Sequence, residues 1–381
     1  MADALKTFFS PDLVRNLAAD LRRTHVHFPA RAFVKQACSG LEELELLDRG
    51  RHIARALAAH LPKPYPVAVD VLLRSLGPEH ATDELVGAGM APFYYLPHVL
   101  FIADYGLDAF EVSMQAQYEL TKRFSAESSI RPYIAKYPER TFDVLRDWAR
   151  DTNPHVRRLV SEGTRLRLPW AIRVAWLDAN PQQVLELLEL LKDDPTPLVR
   201  RSVANNLNDL GKVRPDLLAA TCASWLTDAS AERRALIEHA LRSAVKRGDP
   251  DALRLLGYGT AAAVALDRVH ITPARVSIGD RVSVSFAVRS RSRTAQDLLI
   301  DVAVHFVKAN RKTAPKVFKL TRVCLEPKAT VELHTSVSLA IHTTRKPRPG
   351  PHAVDVIING KAQRIGSFDV VARRRGNARR Q

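Results

Sequence analysis

The chain reads as an all-α HEAT-like solenoid followed by an all-β immunoglobulin-like sandwich, on three observations. A proline is followed thirteen residues later by an aspartate three times, at Pro138 and Asp151, Pro181 and Asp194, and Pro215 and Asp228. After about residue 266 the apolar period changes from 3.6 to 2, the step from helix to strand. Charge divides at the same place: residues 266–381 carry 23 Lys plus Arg against 8 Asp plus Glu, a net of +15, whereas residues 1–265 carry 34 against 33. At 381 residues there is length for two domains. The reading is a helical domain over 1–265, a basic sandwich over 266–372 and a disordered basic tail over 373–381.

The helices follow in order. Ser10, Pro11 and Asp12 form a cap with proline at the first helical position, and Leu13, Leu17 and Leu21 then recur at four-residue spacing. Leu41, Leu44, Leu47, Ile53 and Leu57 make a second amphipathic run, closed near Pro62 and Pro64. The aromatic stretch 93–106 predicts a helix interrupted near Pro97, with Tyr94, Tyr95 and Phe101 in the core.

The first two repeats are in register at a spacing of 43, and residues 153–158 align with 196–201; the third follows after 34 residues and keeps its paired arginines, Arg233 and Arg234. Repeats of this length, with helices entered at proline, read as two-helix units that stack. Pro138 opens a helix with Phe142, Leu145 and Trp148 inward, matched by Leu185, Leu188 and Leu191. On the next helix Val156, Leu159, Val160 and Gly163 form the packed stripe, and Arg158, Glu162 and Arg165 fall together on another face. Carried one repeat on, that face holds Arg201, Asn205 and Asn208, with Asp209 beside them. Second helices commonly line a solenoid's concave side, so these polar rows are the candidates for function. The first arginine of each pair, Arg157, Arg200 and Arg233, reads as packing, and Arg158 and Arg201 as phosphate contacts.

In the last third, Val282 to Val288 and Leu298 to Phe306 alternate with polar residues, and similar runs recur near Val317, Val331 to Ile341, Val354 to Ile358 and Ile365 to Val371. Asn359 and Gly360 form the two-residue turn of a tight hairpin. Six or seven strands without intervening helices predict the sandwich. Its charge points to phosphate, hence nucleic acid; solubility alone is the plainer alternative.

Three scattered cysteines imply neither a disulfide framework nor a thiolate metal site and suit a reducing cytoplasm. The reading expects no signal peptide and no spanning segment, a cytoplasmic, nucleoid-associated location, and no membrane partner. No HExxH occurs, and Asp301 with His305 lacks further ligands, so no metal is expected. GAGM at 87–90 and GYGT at 257–260 are too short for a phosphate loop, and no GxSxG elbow or helix-hairpin-helix pattern is present.

The strings VRRLVSEGTRLRLPWA (156–171) and VRRSVANNLNDLG (199–211), with YELTKRFSAESSIRPYI (118–134) and GLEELELLDRGRHIARAL (40–57), resemble the bacterial alkylpurine DNA glycosylases of the HEAT-repeat superfamily. The similarity is to the AlkC type, whose members can carry an immunoglobulin-like C-terminal domain. The resemblance implies hydrolysis of the N-glycosidic bond of cationic methylated bases such as N3-methyladenine in double-stranded DNA, without cofactor or closed base-flipping pocket, by a monomer. It makes Glu162 and Glu127 the catalytic carboxylates, with Arg165 orienting one of them, and it offers Trp170 as an aromatic face for the lesion. Arg158, Arg201, Asn205, Asn208 and Asp209 become DNA or lesion contacts.

Plainer readings stand beside these. Glu162 and Arg165 have the spacing of an ordinary surface ion pair, Glu119 competes with Glu127, and asparagines at solenoid turns can form internal ladders. Arg123 and Arg131, four residues either side of Glu127, are expected to keep it ionised. A non-catalytic HEAT-repeat scaffold binding DNA or protein is the alternative function.

Overall fold

The computed structural model describes residues 5–80, 91–259, 262–342 and 346–372. The GAGM string, the end of GYGT and the 373–381 tail lie outside the described residues. Helices α1 (Pro11–Thr24), α2 (Ala30–Cys38), α3 (Leu46–His60) and α4 (Tyr65–Arg74) precede α5 (Leu96–Tyr105), α6 (Phe110–Thr121) and α7 (Ile130–Lys136). The repeats supply α8 (Pro138–Trp148), α9 (Pro154–Gly163), the short α10 (Ala175–Ala179), α11 (Pro181–Leu191), α12 (Pro197–Leu210), α13 (Pro215–Leu226) and α14 (Ala231–Lys246); α15 (Pro250–Leu255) is last. The chain forms two compact units, Met1–Leu218 with Ser224–Ala240, and Ala219–Ala223 with Leu241–Gln381.

The helix starts follow the expected chemistry. Ser10 Oγ accepts from the Leu13 amide at 3.4 Å, and Asn153 Oδ1 accepts from His155 N at 2.9 Å, with Pro154 at the first position of α9. The expected run from Leu41 divides into a single 3-10 turn, Leu41–Glu43, and α3. Pro97 does not interrupt a helix; it sits in the first turn of α5, where its missing amide costs nothing. Phe101 is core, while Tyr94 and Tyr95 are half-buried.

The repeat is visible as a repeated hydrogen-bond pattern. Arg157 Nη1 donates to the carbonyls of Asp151 at 2.8 Å and Thr152 at 3.0 Å. Arg200 does the same 43 residues on, to Asp194 and Pro195. Arg157 also grips the Asp194 carboxylate of the next unit, through Nε at 2.6 Å and Nη2 at 3.0 Å, and Arg233 pairs with Asp193. The first arginine of each pair therefore ties a repeat to its own turn or to its neighbour. Trp148, expected inward, is only half-buried and packs on Tyr118.

In the second unit eight strands lie among the described residues: β1 (Val264–Thr272), β2 (Arg275–Ser277), β3 (Arg281–Ser290), β4 (Gln296–Val307), β5 (Thr313–Leu325), β6 (Thr330–Ser338), β7 (Gly350–Ile358) and β8 (Lys361–Val371). They form a sheet of order β1-β3-β6 and another of order β2-β8-β7-β4-β5. The predicted alternation holds: Val282, Val284, Phe286 and Val288 bury with Ile300, Val302, Val304, Val354 and Phe368 as one core. Asn359 and Gly360 have φ of 45° and 79°, as their tight hairpin requires. β1 was not anticipated because a bulge between Asp267 and His270, with Arg268 at φ 51°, breaks its alternation.

The Arg157 and Asp194 pair generates a test. Asp194→Ala is expected to cost about 3 kcal/mol in urea unfolding, because it strands a largely buried guanidinium and frees the Thr196 amide that Asp194 Oδ1 accepts at 2.8 Å. An unchanged unfolding midpoint would show that the inter-repeat pair contributes nothing.

Candidate active site

The site grows from α9. Its apolar stripe, Val156, Leu159 and Val160, is fully buried, and Gly163 passes so close to α7 that an added Cβ would lie 2.7 Å from Ile130 Cγ2. With that face inward, Arg158, Ser161, Glu162 and Arg165 turn toward α12 and the loop before α7.

Six charges of alternating sign then run in sequence. Arg158 Nη2 lies 3.2 Å from Glu127 and 3.8 Å from Glu162. Glu162 pairs with Arg165, Arg165 Nε reaches Asp209 at 2.8 Å, and Asp209 takes Lys212 at 2.7 Å. Ser161 donates to Ser202 at 2.7 Å and Ser202 to Glu162 Oε2 at 2.6 Å. Burial disfavours the Arg165 charge, but Glu162 and Asp209 outweigh it and raise its pKa.

The inner carboxylates of this run and the one at its start differ in access. Glu162 and Asp209 are 5% and 1% exposed. Glu127 is half-buried and, with Arg158, Ser125 and Trp170, lines a cleft of about 580 Å³. Ser125 Oγ donates to Glu127 at 2.8 Å.

Trp170 is 67% exposed and has φ of 61°, a conformation costly for a bulky side chain. Its loop is pinned from beneath. Arg131, 1% exposed, donates through Nε to Ile172 O at 2.6 Å and through Nη1 to Gly163 O and Arg165 O at 2.8 Å each. Arg167 and Arg173 both hold Asp178, at 2.8 and 2.7 Å.

Several expectations change. Arg131 and Arg123 do not flank Glu127, because Glu127 lies in the loop between α6 and α7, where helical spacing fails. Arg131 clamps carbonyls, and Arg123 pairs with Glu119, itself bound to Lys122. Glu119 thus belongs to another cluster, and Glu127 to the cleft.

The row brought to Glu162 and Arg165 is Ser202, Asn206 and Asp209. Asn206 Nδ2 donates to Ser161 O at 2.8 Å and to Thr164 Oγ1 at 3.0 Å. Arg201 and Asn205 face α14: Asn205 meets His239 at 3.1 Å, and Arg201 lies exposed in a groove with Ala235 and His239. Asn208 is buried. Equivalent faces of stacked repeats point the same way, so a row meets its neighbour's opposite flank. Shifting the register of α12 by one residue would have found Ser202 and Asn206; no signal marked Ser125.

A family model described as DNA alkylation repair enzyme matches residues 123–247, the segment holding Glu127, α9 and α12. The model of the C-terminal Ig-like domain of the uncharacterised protein YhaZ matches residues 265–372. The protein YhaZ of Bacillus subtilis is 34% identical over 374 residues, covering 97% of this chain and all of the relative.

The chain belongs to the DNA alkylation repair enzyme family.

Within that family, a solved structure of the Pseudomonas fluorescens alkylpurine DNA glycosylase AlkC, bound to DNA containing an abasic site analog, superposes with a TM-score of 0.89. It is 34% identical, and the match covers 97% of this chain and all of that one. The AlkC-type reading made from residues 40–57, 118–134, 156–171 and 199–211 is thereby borne out.

Because Arg131 joins the end of α9 to the Trp170 loop, it is a positioning residue for that loop. Arg131→Lys keeps the charge but loses the fork, and is expected to red-shift Trp170 fluorescence relative to a Trp170→Phe reference. Thermal stability should fall less than in Arg131→Met, where three carbonyls lose their donor. Identical spectra in wild type and both variants would remove Arg131 from that role.

Proposed function

We propose that this chain is a DNA glycosylase that hydrolyses the N-glycosidic bond of alkylated, cationic bases in duplex DNA. The observation that carries the reading is a carboxylate, Glu127, placed at the wall of the cleft and held by Arg158, in a cleft that the exposed Trp170 also lines.

The chemistry asks little else. A base alkylated on a ring nitrogen already bears positive charge, so when the bond to C1′ breaks, the electron pair neutralises the leaving base and no general acid is needed. Water adds to C1′ and gives up a proton, while positive charge develops on the sugar ring. Glu127 would stabilise that charge and take the proton. Glu162 and Arg165, with Asp209 behind them, would fix the field in which Arg158 and Glu127 sit, so that no reorganisation is needed as the charge develops. Trp170 would lay its ring against the cationic base or deoxyribose.

Of Arg201, Asn205 and Asn208, the exposed Arg201 belongs to the proposal as a contact further along the duplex; Asn208 is buried and Asn205 meets His239. The basic sandwich and the tail after it would supply phosphate contacts, since residues 266–381 hold +15 of the chain's net charge of +16. No helix among the described residues is long and apolar enough to cross a membrane. Work on chromosomal DNA would place the protein at the nucleoid.

Methylated genomic DNA incubated with the protein, without metal or cofactor, is expected to release free methylated adenine by chromatography. Glu127→Gln should slow single-turnover release by roughly 100-fold or more while DNA affinity stays within about threefold, and Glu162→Gln should slow it less. Wild-type rates in both variants would remove the carboxylates from the mechanism. For the sandwich, Lys316→Gln with Lys319→Gln, both exposed on β5, should make the slope of log affinity against log salt shallower by about 0.9 for each phosphate no longer neutralised. An unchanged slope returns those charges to solubility.

A further inference from the structure

Glu127 stands on the loop between α6 and α7, and the backbone of that loop is tied down on both sides. Thr121 Oγ1 accepts from the Ala126 amide at 3.3 Å. The Phe124 amide donates to Leu120 O at 2.8 Å, and the Ile130 amide to Ala126 O at 3.0 Å. Ser129, fully buried, lies 3.0 Å from Gln117 Oε1 and 3.1 Å from Ala126 O. With the backbone held, the freedom left to Glu127 is that of its long side chain.

Both partners of its carboxylate meet the same oxygen. Ser125 Oγ donates to Glu127 Oε2 at 2.8 Å, and Arg158 Nη2 donates to the same Oε2 at 3.2 Å. Among the described residues no hydrogen bond reaches Oε1, so that oxygen keeps its lone pairs for the cleft that Glu127 lines. The serine's own capacity is spent. A hydroxyl has one proton and two lone pairs; here the lone pairs face Glu127 N at 3.4 Å and Arg158 Nη1 at 3.5 Å, which leaves the proton for Oε2. Ser125, Glu127 and Arg158 thus close a ring in which each contact sets the direction of the next.

We infer that Ser125 is a positioning residue that assigns the two oxygens of Glu127 to different tasks, Oε2 to holding the side chain and Oε1 to the reaction. The inference rests on the glycosylase reading and deepens it at the same carboxylate. As the C1′–N bond breaks, its electron pair passes to the cationic base; the water oxygen forms the new bond to C1′, and the proton it sheds goes to Oε1. Oε2 cannot take that proton without losing one of its two donors. Arg158 alone would not keep this division. It reaches Oε2 at the longer distance and also stands 3.8 Å from Glu162 Oε2, so without the serine the carboxylate is free to turn and present either oxygen.

Ser125→Ala is expected to slow single-turnover release of methylated adenine from methylated DNA by about tenfold, while affinity for undamaged duplex stays within about threefold. Its affinity for a duplex carrying a protonated pyrrolidine in place of one deoxyribose ring, a mimic of the charged sugar, should fall by about tenfold; affinity for the same duplex with a neutral tetrahydrofuran there should stay within about threefold, which also reports that the variant is folded. In a Glu127→Gln background Ser125→Ala should change neither affinity, because the hydroxyl acts through the carboxylate. Equal losses on the cationic and neutral duplexes, the same selective loss in the Glu127→Gln background, or wild-type behaviour of Ser125→Ala would each overturn the inference and leave the glycosylase reading standing. A wild type that releases no methylated base overturns both.

Discussion

The structure depends on guanidinium groups buried against backbone carbonyls. The last carbonyls of a helix have no partner within it, and the turns between stacked helices multiply such ends. Arg49 answers four of them at once, donating to Leu44, Lys6, Phe9 and Glu42 at 2.8 to 3.0 Å. Arg131 answers three, and Arg157 and Arg200 two each. Arginine suits the task because its donors are fixed in a plane and its charge is hard to remove. Burial lowers the Arg131 pKa only to about 10, so it stays charged at neutral pH. A cation there also meets the negative end of the α9 dipole.

These clamps set the stage for the carboxylates. Gly163 O and Arg165 O, both held by Arg131, belong to the backbone from which Arg165 reaches Glu162 and Asp209. A buried charge without a partner costs several kcal/mol, so a run of alternating signs is sustainable only when each member is satisfied on both sides. The run begins at the half-buried Glu127 and ends at Lys212, with the least exposed members between. Loss of an inner member would therefore be felt at the cleft through Arg158, the link between Glu127 and Glu162. That is how a fully enclosed aspartate can matter to a carboxylate at the cleft.

Much of this was legible because it follows from periodicity. The thirteen-residue interval, the pairs Arg157 with Arg158 and Arg200 with Arg201, the strand alternation and the Asn359 and Gly360 turn each carry a local physical reason. What was not legible is mostly relational. Arg131 looked like a helical neighbour of Glu127, yet a loop intervenes and its donors go to carbonyls more than thirty residues away. Arg51 lies within the 40–57 string that carries the resemblance, yet nothing in the sequence sets it beside Asp104 until α3 and α5 pack together. The face of α12 was misplaced by one position, about 100° on a helix, which is enough to exchange Asn206 for Asn205.

The division of charge bears on how a carboxylate can serve at all beside DNA. A strongly basic groove would hold the backbone tightly but would spend its glutamates on neutralising its own cations. Here the helical part is close to neutral, and each site arginine is already committed: Arg158 and Arg165 to carboxylates, Arg131 to carbonyls. Glu127 is left facing the cleft with Ser125 and Arg158 for company, which keeps acceptor capacity for a developing positive charge. Under the proposed function, long-range attraction to phosphate falls to the sandwich, whose residues 266–372 carry 18 Lys plus Arg against 8 Asp plus Glu, a net of +10, around a different core. Separating attraction from chemistry would let the site keep a half-buried negative charge close to a polyanion, which a single surface performing both tasks could not do.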